Sequence, residues 1–188
     1  NFIPCHFSQL PKTLSEIIGI DTMIVTVSPM DKGGFFSLGT NNDFASVVAR
    51  SCKNLIVEVN ENMPRVFGQS LMHVTEVSSI VENNVPLISI PRSQASPAQE
   101  KIAEHVAELV SDGDTIQLGL GSIAEAVTKK LSSFKDLGVH SELLGSSITD
   151  LIKIGAVTGS KKTLHPNKVV FTVAMGDDDF YNYINDNA

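Results

Sequence analysis

Cysteine is scarce in this chain: its 188 residues hold only Cys5 and Cys52, with no C-x-x-C spacing. That composition argues against a disulfide framework and suits a reducing compartment. The expected location is therefore the cytoplasm, with an organellar matrix left open. Basic residues are also few, 14 Lys and Arg against 21 Asp and Glu, for a net charge of −7. No basic stripe or basic-aromatic interleaving is present, so no nucleic-acid partner is expected. No apolar run approaches the length of a membrane span, so no membrane partner is expected either. His73 has no second ligand at a metal spacing, and the expected metal content is none. Internal repeats and low-complexity tracts are missing as well. What is present is a globular composition, 42% hydrophobic and 19% charged, enough for a sizeable core.

Strand and helix patterns alternate along the chain, which defines an α/β fold with open sheets. Thr22 to Val27 reads as a buried β-branched strand, followed by a turn at Ser28-Pro29-Met30-Asp31 and a return at Phe35 to Leu38. A helix with Phe44, Val47, Val48 and Cys52 on its apolar stripe leads to a strand at Leu55 to Val59. Short strands are expected around Leu71 to Val74 and Leu87 to Ile90. His73 reads as a core histidine and Cys52 as a core thiol. Residues 91–97 turn polar and proline-rich, which places a domain boundary there. The expected domains are 1–95 and 96–188. Ser96-Pro97-Ala98-Gln99 opens the second with a capping box and a first-turn proline.

The most informative stretch runs from Asp114 to Glu142. Thr115 to Leu118 has strand character and breaks at Gly119-Leu120-Gly121. Ser122-Ile123-Ala124-Glu125 then has the form of a capping box heading a helix with Ile123, Ala126, Val127 and Leu131 at helical spacing. A second strand, Val139 to Leu143, carries Glu142. In a parallel β-α-β unit, the glycine turn and Glu142 leave the sheet at one edge, the edge where such sheets bind ligands. Glycines there admit close approach of a ligand, and the helix's first turn offers unpaired N–H groups. Two chemistries fit this backbone. Gly119-x-Gly121-x-x-Ala124 satisfies a dinucleotide fingerprint, with Glu142 gripping a ribose; alternatively, Glu142 is a nucleophile facing a thioester-bearing ligand.

Gln117-Leu118-Gly119-Leu120-Gly121-Ser122-Ile123, followed by Leu137-Gly138-Val139-His140-Ser141-Glu142, resembles the acetyl-CoA hydrolase/transferase family, in particular its 4-hydroxybutyrate and butyrate:acetate CoA-transferases. Phe2-Ile3-Pro4, Val27-Ser28-Pro29-x-Asp31, Met63-Pro64, His73-Val74 and Ala174-Met175-Gly176 agree in order and spacing. The resemblance implies two open α/β CoA-transferase-type domains, the end of the first and the start of the second. It also implies Glu142 as the catalytic nucleophile and Gly119, Leu120, Gly121, Ser122 and Ile123 as the CoA-binding turn. Coenzyme A enters as a substrate rather than a resident cofactor, the partners are an acyl-CoA and a short-chain carboxylate, and the assembly is a homo-oligomer. An acyl-CoA hydrolase and a CoA-binding module without covalent catalysis are the alternatives. The chain starts with Asn, and the resemblance begins well inside the family's first domain, so an internal fragment is expected. One departure stands out: Gly145-Ser146-Ser147 occupies the place of the family's Ser-Asp-Gly, an expected alteration of the turn after Glu142. Lys161, Lys162 and Lys168 read as a solvated basic loop, and Asp177-Asp178-Asp179 as an acidic helix start.

Overall fold

The computed structural model describes residues 2–188. It divides into two compact units, the first running to Leu87 and rejoined by Ile184–Ala188, the second spanning Ile88–Tyr183.

In the first unit, an irregular helix includes α1 (Leu10–Lys12) and continues as a wider turn through Thr13–Ile18, stopping at Gly19 in a left-handed conformation. Then come β1 (Thr22–Val27), β2 (Phe35–Ser37), α2 (Ala45–Ser51), β3 (Asn54–Val59), β4 (Leu71–His73) and β5 (Ser79–Glu82). β1, β3 and β5 form a parallel sheet in the order β1-β3-β5, whereas β2 pairs antiparallel with β4 in a separate sheet. Period-two alternation turns Met23, Val27, Leu55 and Val57 onto one face, where Phe36, Leu38, Ala45, Val48, Ala49 and Met72 complete the core. The opposite face leaves Ile24 and Val81 exposed. Glu58 on that face is held by Thr26 Oγ1 at 2.7 Å and by the Asn83 amide.

Two expectations change here. Residues 87–90 form no strand, and β5, unmarked in the sequence, takes the third place in the sheet. His73 is not a core residue: it is half-buried at the start of a 3₁₀ turn, with Nδ1 2.8 Å from Thr75 Oγ1 and its ring edge-on to Phe35. A cavity of about 600 Å³ lies at the carboxyl edge of β1 and β3, and Ser28, Asp31, Glu61 and Arg65 are among its walls. Arg65 bridges Asp31 at 2.7 Å and Asp186 at 2.8 Å, and its backbone exchanges hydrogen bonds with Asn185 and Asp186.

The second unit contains α3 (Pro97–Ala107), β6 (Thr115–Ile116), α4 (Ser122–Lys130), β7 (Gly138–Val139), β8 (Leu143–Gly145), α5 (Ser146–Lys153), β9 (Val173–Met175) and α6 (Asp178–Ile184), whose last residue is counted with the first unit. β6 pairs parallel with β7, and β8 with β9. The core is built from Ala126, Val127, Leu131, Leu137, Val139, Leu144, Ile148, Leu151 and Phe180. The capping box at Ser96 and Gln99 forms as read, with Ser96 N–H donating to Gln99 Oε1 at 2.8 Å. The proline-rich segment is not a free linker, and the structural division falls before it, at Leu87/Ile88. Its anchors are specific. Ile90 N–H donates to the Gly176 carbonyl at 2.9 Å, the Tyr181 hydroxyl donates to the Ile88 carbonyl at 2.9 Å, and Arg92 bridges Asp150 and Asp177.

Candidate functional site

The carboxyl ends of β6 and β7 lie side by side, since Thr115 pairs with Gly138, Ile116 with Val139, and His140 N–H donates to the Ile116 carbonyl at 3.1 Å. The glycine turn and the segment 140–142 therefore leave the sheet at one edge, as the parallel β-α-β reading requires. β6 is shorter than its sequence signal, however, and residues 117–121 are turn. The capping box at Ser122 and Glu125 does not form. Gly121 is the N-cap, Ser122 is the first helical residue, and no side chain caps α4. Gly121 sits at φ 106° and ψ 177°, a region open essentially to glycine alone, so the chain enters the helix one residue earlier than a serine cap would allow. Its carbonyl accepts from Glu125 N–H at 3.0 Å. No side chain therefore caps the first turn, and a Cβ on Gly119 or Gly121 would meet open space.

That geometry separates the two glycines. Gly121→Ala is expected to cost about 1–3 kcal/mol, because the side chain is forced into a backbone region it avoids. Gly119→Ala, with open space and no positive φ, is expected to stay within about 0.5 kcal/mol. Urea denaturation of the two variants side by side checks this; equal costs would contradict the turn geometry.

Glu142 is not in a strand. It occupies a bend between β7 and β8, because Val139 ends one parallel pairing and Leu143 begins another. Its carbonyl receives Thr172 N–H at 3.1 Å, Val173 N–H at 3.0 Å and Thr172 Oγ1 at 2.9 Å. The side chain is exposed and makes no hydrogen bond or ion pair with any described residue. The backbone is fixed and the carboxylate is free. His140 is exposed, bridges to Val170 and lies 6.5 Å, centroid to centroid, from the ring of His165.

The turn after Glu142 is well supported. Gly145 is the N-cap of α5, and a Cβ there would lie 2.7 Å from Leu120 Cδ2, so glycine at this position gives the Leu120 side chain its room. Ser146 and Ser147 are buried. Ser146 Oγ accepts Asp177 N–H at 3.0 Å, and Ser147 Oγ lies 3.3 Å from Thr128 Oγ1. Asp177 in turn accepts Phe180 N–H at 2.9 Å, which makes the acidic run a helix start as read. Among the described residues, no group of three or more His, Cys, Asp or Glu could hold a metal.

The basic loop differs from its sequence reading at one lysine. Lys161 and Lys168 are exposed, but Lys162 is buried, with Nζ donating to the carbonyls of Val139 at 2.9 Å and Lys168 at 2.6 Å. Burial holds its pKa below the usual lysine value. Between that lowered pKa and the unfolded value, the unfolded chain binds more protons, so this group's contribution to stability rises with pH there and is lost as pH falls through the folded value. Lys162→Met is expected to destabilise the chain by about 1–3 kcal/mol at neutral pH, since the Lys168 carbonyl loses its donor while the Val139 carbonyl keeps Val170 N–H. The deficit should widen as pH rises toward 10. Denaturant titrations of both proteins across pH 7–10 check the sign.

The site is thus a strand-turn-helix edge at which the exposed Glu142 carboxylate and a helix start without a side-chain cap leave the same end of the sheet. The chain belongs to the acetyl-CoA hydrolase/transferase family, whose N-terminal domain model matches residues 1–91. It is 39% identical over 188 residues to the 4-hydroxybutyrate coenzyme A transferase of Clostridium kluyveri, covering 100% of this chain and 44% of that protein. Among solved structures, RipA from Yersinia pestis matches with a TM-score of 0.96 at 47% identity over 100% of this chain and 44% of its own. The 4-hydroxybutyrate CoA-transferase of Porphyromonas gingivalis matches with a TM-score of 0.93 at 33% identity, over 98% of this chain and 48% of its own. The chain thus spans less than half the length of these relatives. The open α/β sheets expected from the sequence are those of these structures.

Proposed function

We propose that this chain carries the nucleophile and the CoA-binding turn of an acyl-CoA:carboxylate CoA-transferase. The observation that carries the reading is the free carboxylate of Glu142 on a backbone held by three donors, at the sheet edge shared with the uncapped start of α4. Family membership favours this use of Gly119-x-Gly121-x-x-Ala124 over dinucleotide binding.

In this mechanism, the Glu142 carboxylate attacks the acyl-CoA thioester carbonyl and expels CoA thiolate, leaving an acyl-glutamyl anhydride. The thiolate attacks the glutamyl carbonyl of the anhydride, which releases the first carboxylate and leaves a glutamyl-CoA thioester. A second carboxylate attacks that thioester to form a new anhydride and free thiolate, and the thiolate then takes the new acyl group. Glu142 is regenerated as a carboxylate. The turn over residues 119–123 contacts CoA through backbone N–H groups and the helix's partial positive charge. The acyl donor and acceptor are short-chain, of the acetate, butyrate or 4-hydroxybutyrate type.

Intact-protein mass spectrometry of the whole protein that carries this chain, after incubation with butyryl-CoA or acetyl-CoA, tests the reading. A CoA adduct mapped to Glu142 is expected. Acyl-CoA binding without any adduct would sink the covalent mechanism and leave a binding module. Product analysis with and without acetate separates transferase from hydrolase, since only the hydrolase turns over acyl-CoA beyond one equivalent per site when no acid acceptor is supplied.

A further inference from the structure

Ser141 precedes Glu142 and is 5% exposed. Its Oγ lies 2.7 Å from the Leu143 carbonyl and 3.1 Å from the Leu118 carbonyl. A hydroxyl has one proton to give, so the two carbonyls share one donor. One of them belongs to the residue just before the glycine turn, the other to the residue just after Glu142. The Ser141 backbone is itself pinned, with N–H donating to the Val170 carbonyl at 2.9 Å. A second tie crosses the same gap from the opposite side of Glu142, where Leu120 occupies the space left by Gly145.

We propose that Ser141 is a positioning residue: its hydroxyl locks the glycine turn in register with the Glu142 bend, so that CoA bound on the turn presents its thioester to the carboxylate. This rests on the assignment of Glu142 as nucleophile. The glycine turn and the bend leave the edge as separate segments, and nucleophilic attack requires an approach of about 3–3.5 Å, where a misplacement of about 1 Å costs on the order of 100-fold in rate. With the shared donor removed, the part-buried Leu118 and Leu143 carbonyls lose their common partner, and the turn loses its hydrogen bond to the bend.

The test is a rapid-quench single turnover of the whole protein with saturating butyryl-CoA, following the Glu142 adduct by mass. Ser141→Ala is expected to slow adduct formation roughly 10- to 100-fold at unchanged final amplitude. Ser141→Cys, which keeps the volume and replaces the hydroxyl by a weak donor, should be slowed as well, and Ser141→Thr should recover to within about threefold. A merely structural role would lower the amplitude with the folded fraction and leave the rate constant alone. That result, a wild-type rate in either Ala or Cys variant, or a Thr variant as slow as Ala would overturn the proposal while Glu142 remains the nucleophile. If the wild-type protein forms no adduct, both assignments fall together.

Discussion

Glu142→Gln in the whole protein is expected to lower CoA transfer by about 10⁴-fold or more and to abolish the covalent adduct, because an amide cannot act as the attacking carboxylate. The same substitution is expected to leave stability within about 0.5 kcal/mol. The reason for the contrast is local. The exposed side chain has no hydrogen bond or ion pair to lose, while the donors that hold residue 142 itself act on its carbonyl. Thermal unfolding and single-turnover chemistry on one preparation check both halves. A variant that kept transfer above about a hundredth of wild type would remove Glu142 from the nucleophile's role, and a large loss of stability would show that its side chain is structurally engaged.

Phe180→Ala should have the largest effect on stability, about 3–5 kcal/mol, from the lost transfer energy and the void left behind. Phe180 is 1% exposed, lies under the turn between β9 and α6, and fits so closely against Gly176 that a Cβ there would approach its Cδ1 to 2.5 Å. Above it, Asp177 N–H holds Ser146 Oγ, and Gly176 accepts Ile90 N–H. β9 also begins at Val173, whose N–H donates to the Glu142 carbonyl. The loss should therefore spread to the bend, and single-turnover rates should fall even where the variant remains folded. Urea denaturation measures the first effect; a cost below about 1 kcal/mol would mean that neighbouring side chains collapse into the void.

Several parts of this protein could be read in advance because their causes are local. Ser96, Pro97 and Gln99 mark a helix start wherever they occur in that order, and the structure puts one there. The β-branched run Thr22 to Val27 is a strand, and the glycine turn marks the passage from β6 to α4. Other features needed distant partners. Ser122 and Glu125 had the right spacing for a capping box, but the backbone dihedral of Gly121 moved the cap by one residue. Lys162 looked like its neighbours Lys161 and Lys168, yet only its stem runs inward to the carbonyl of Val139, 23 residues away. Nothing local to Ser141 says that its hydroxyl will meet the Leu118 carbonyl. The only prior signal was a small polar residue next to a candidate nucleophile.

The sequence by itself determined the α/β class, the glycine turn and helix that make one sheet edge, and Glu142 as the acid emerging near it. Those follow from propensity, period and spacing, which act over a few residues. Tertiary structure alone decided that Glu142 lies in a bend rather than a strand, that residues 88–92 belong with the second unit, and that Ser141 and Leu120 tie the turn to the bend. These depend on which backbone carbonyl meets which donor between residues 23 to 93 positions apart, and that pairing is fixed only when the whole core closes.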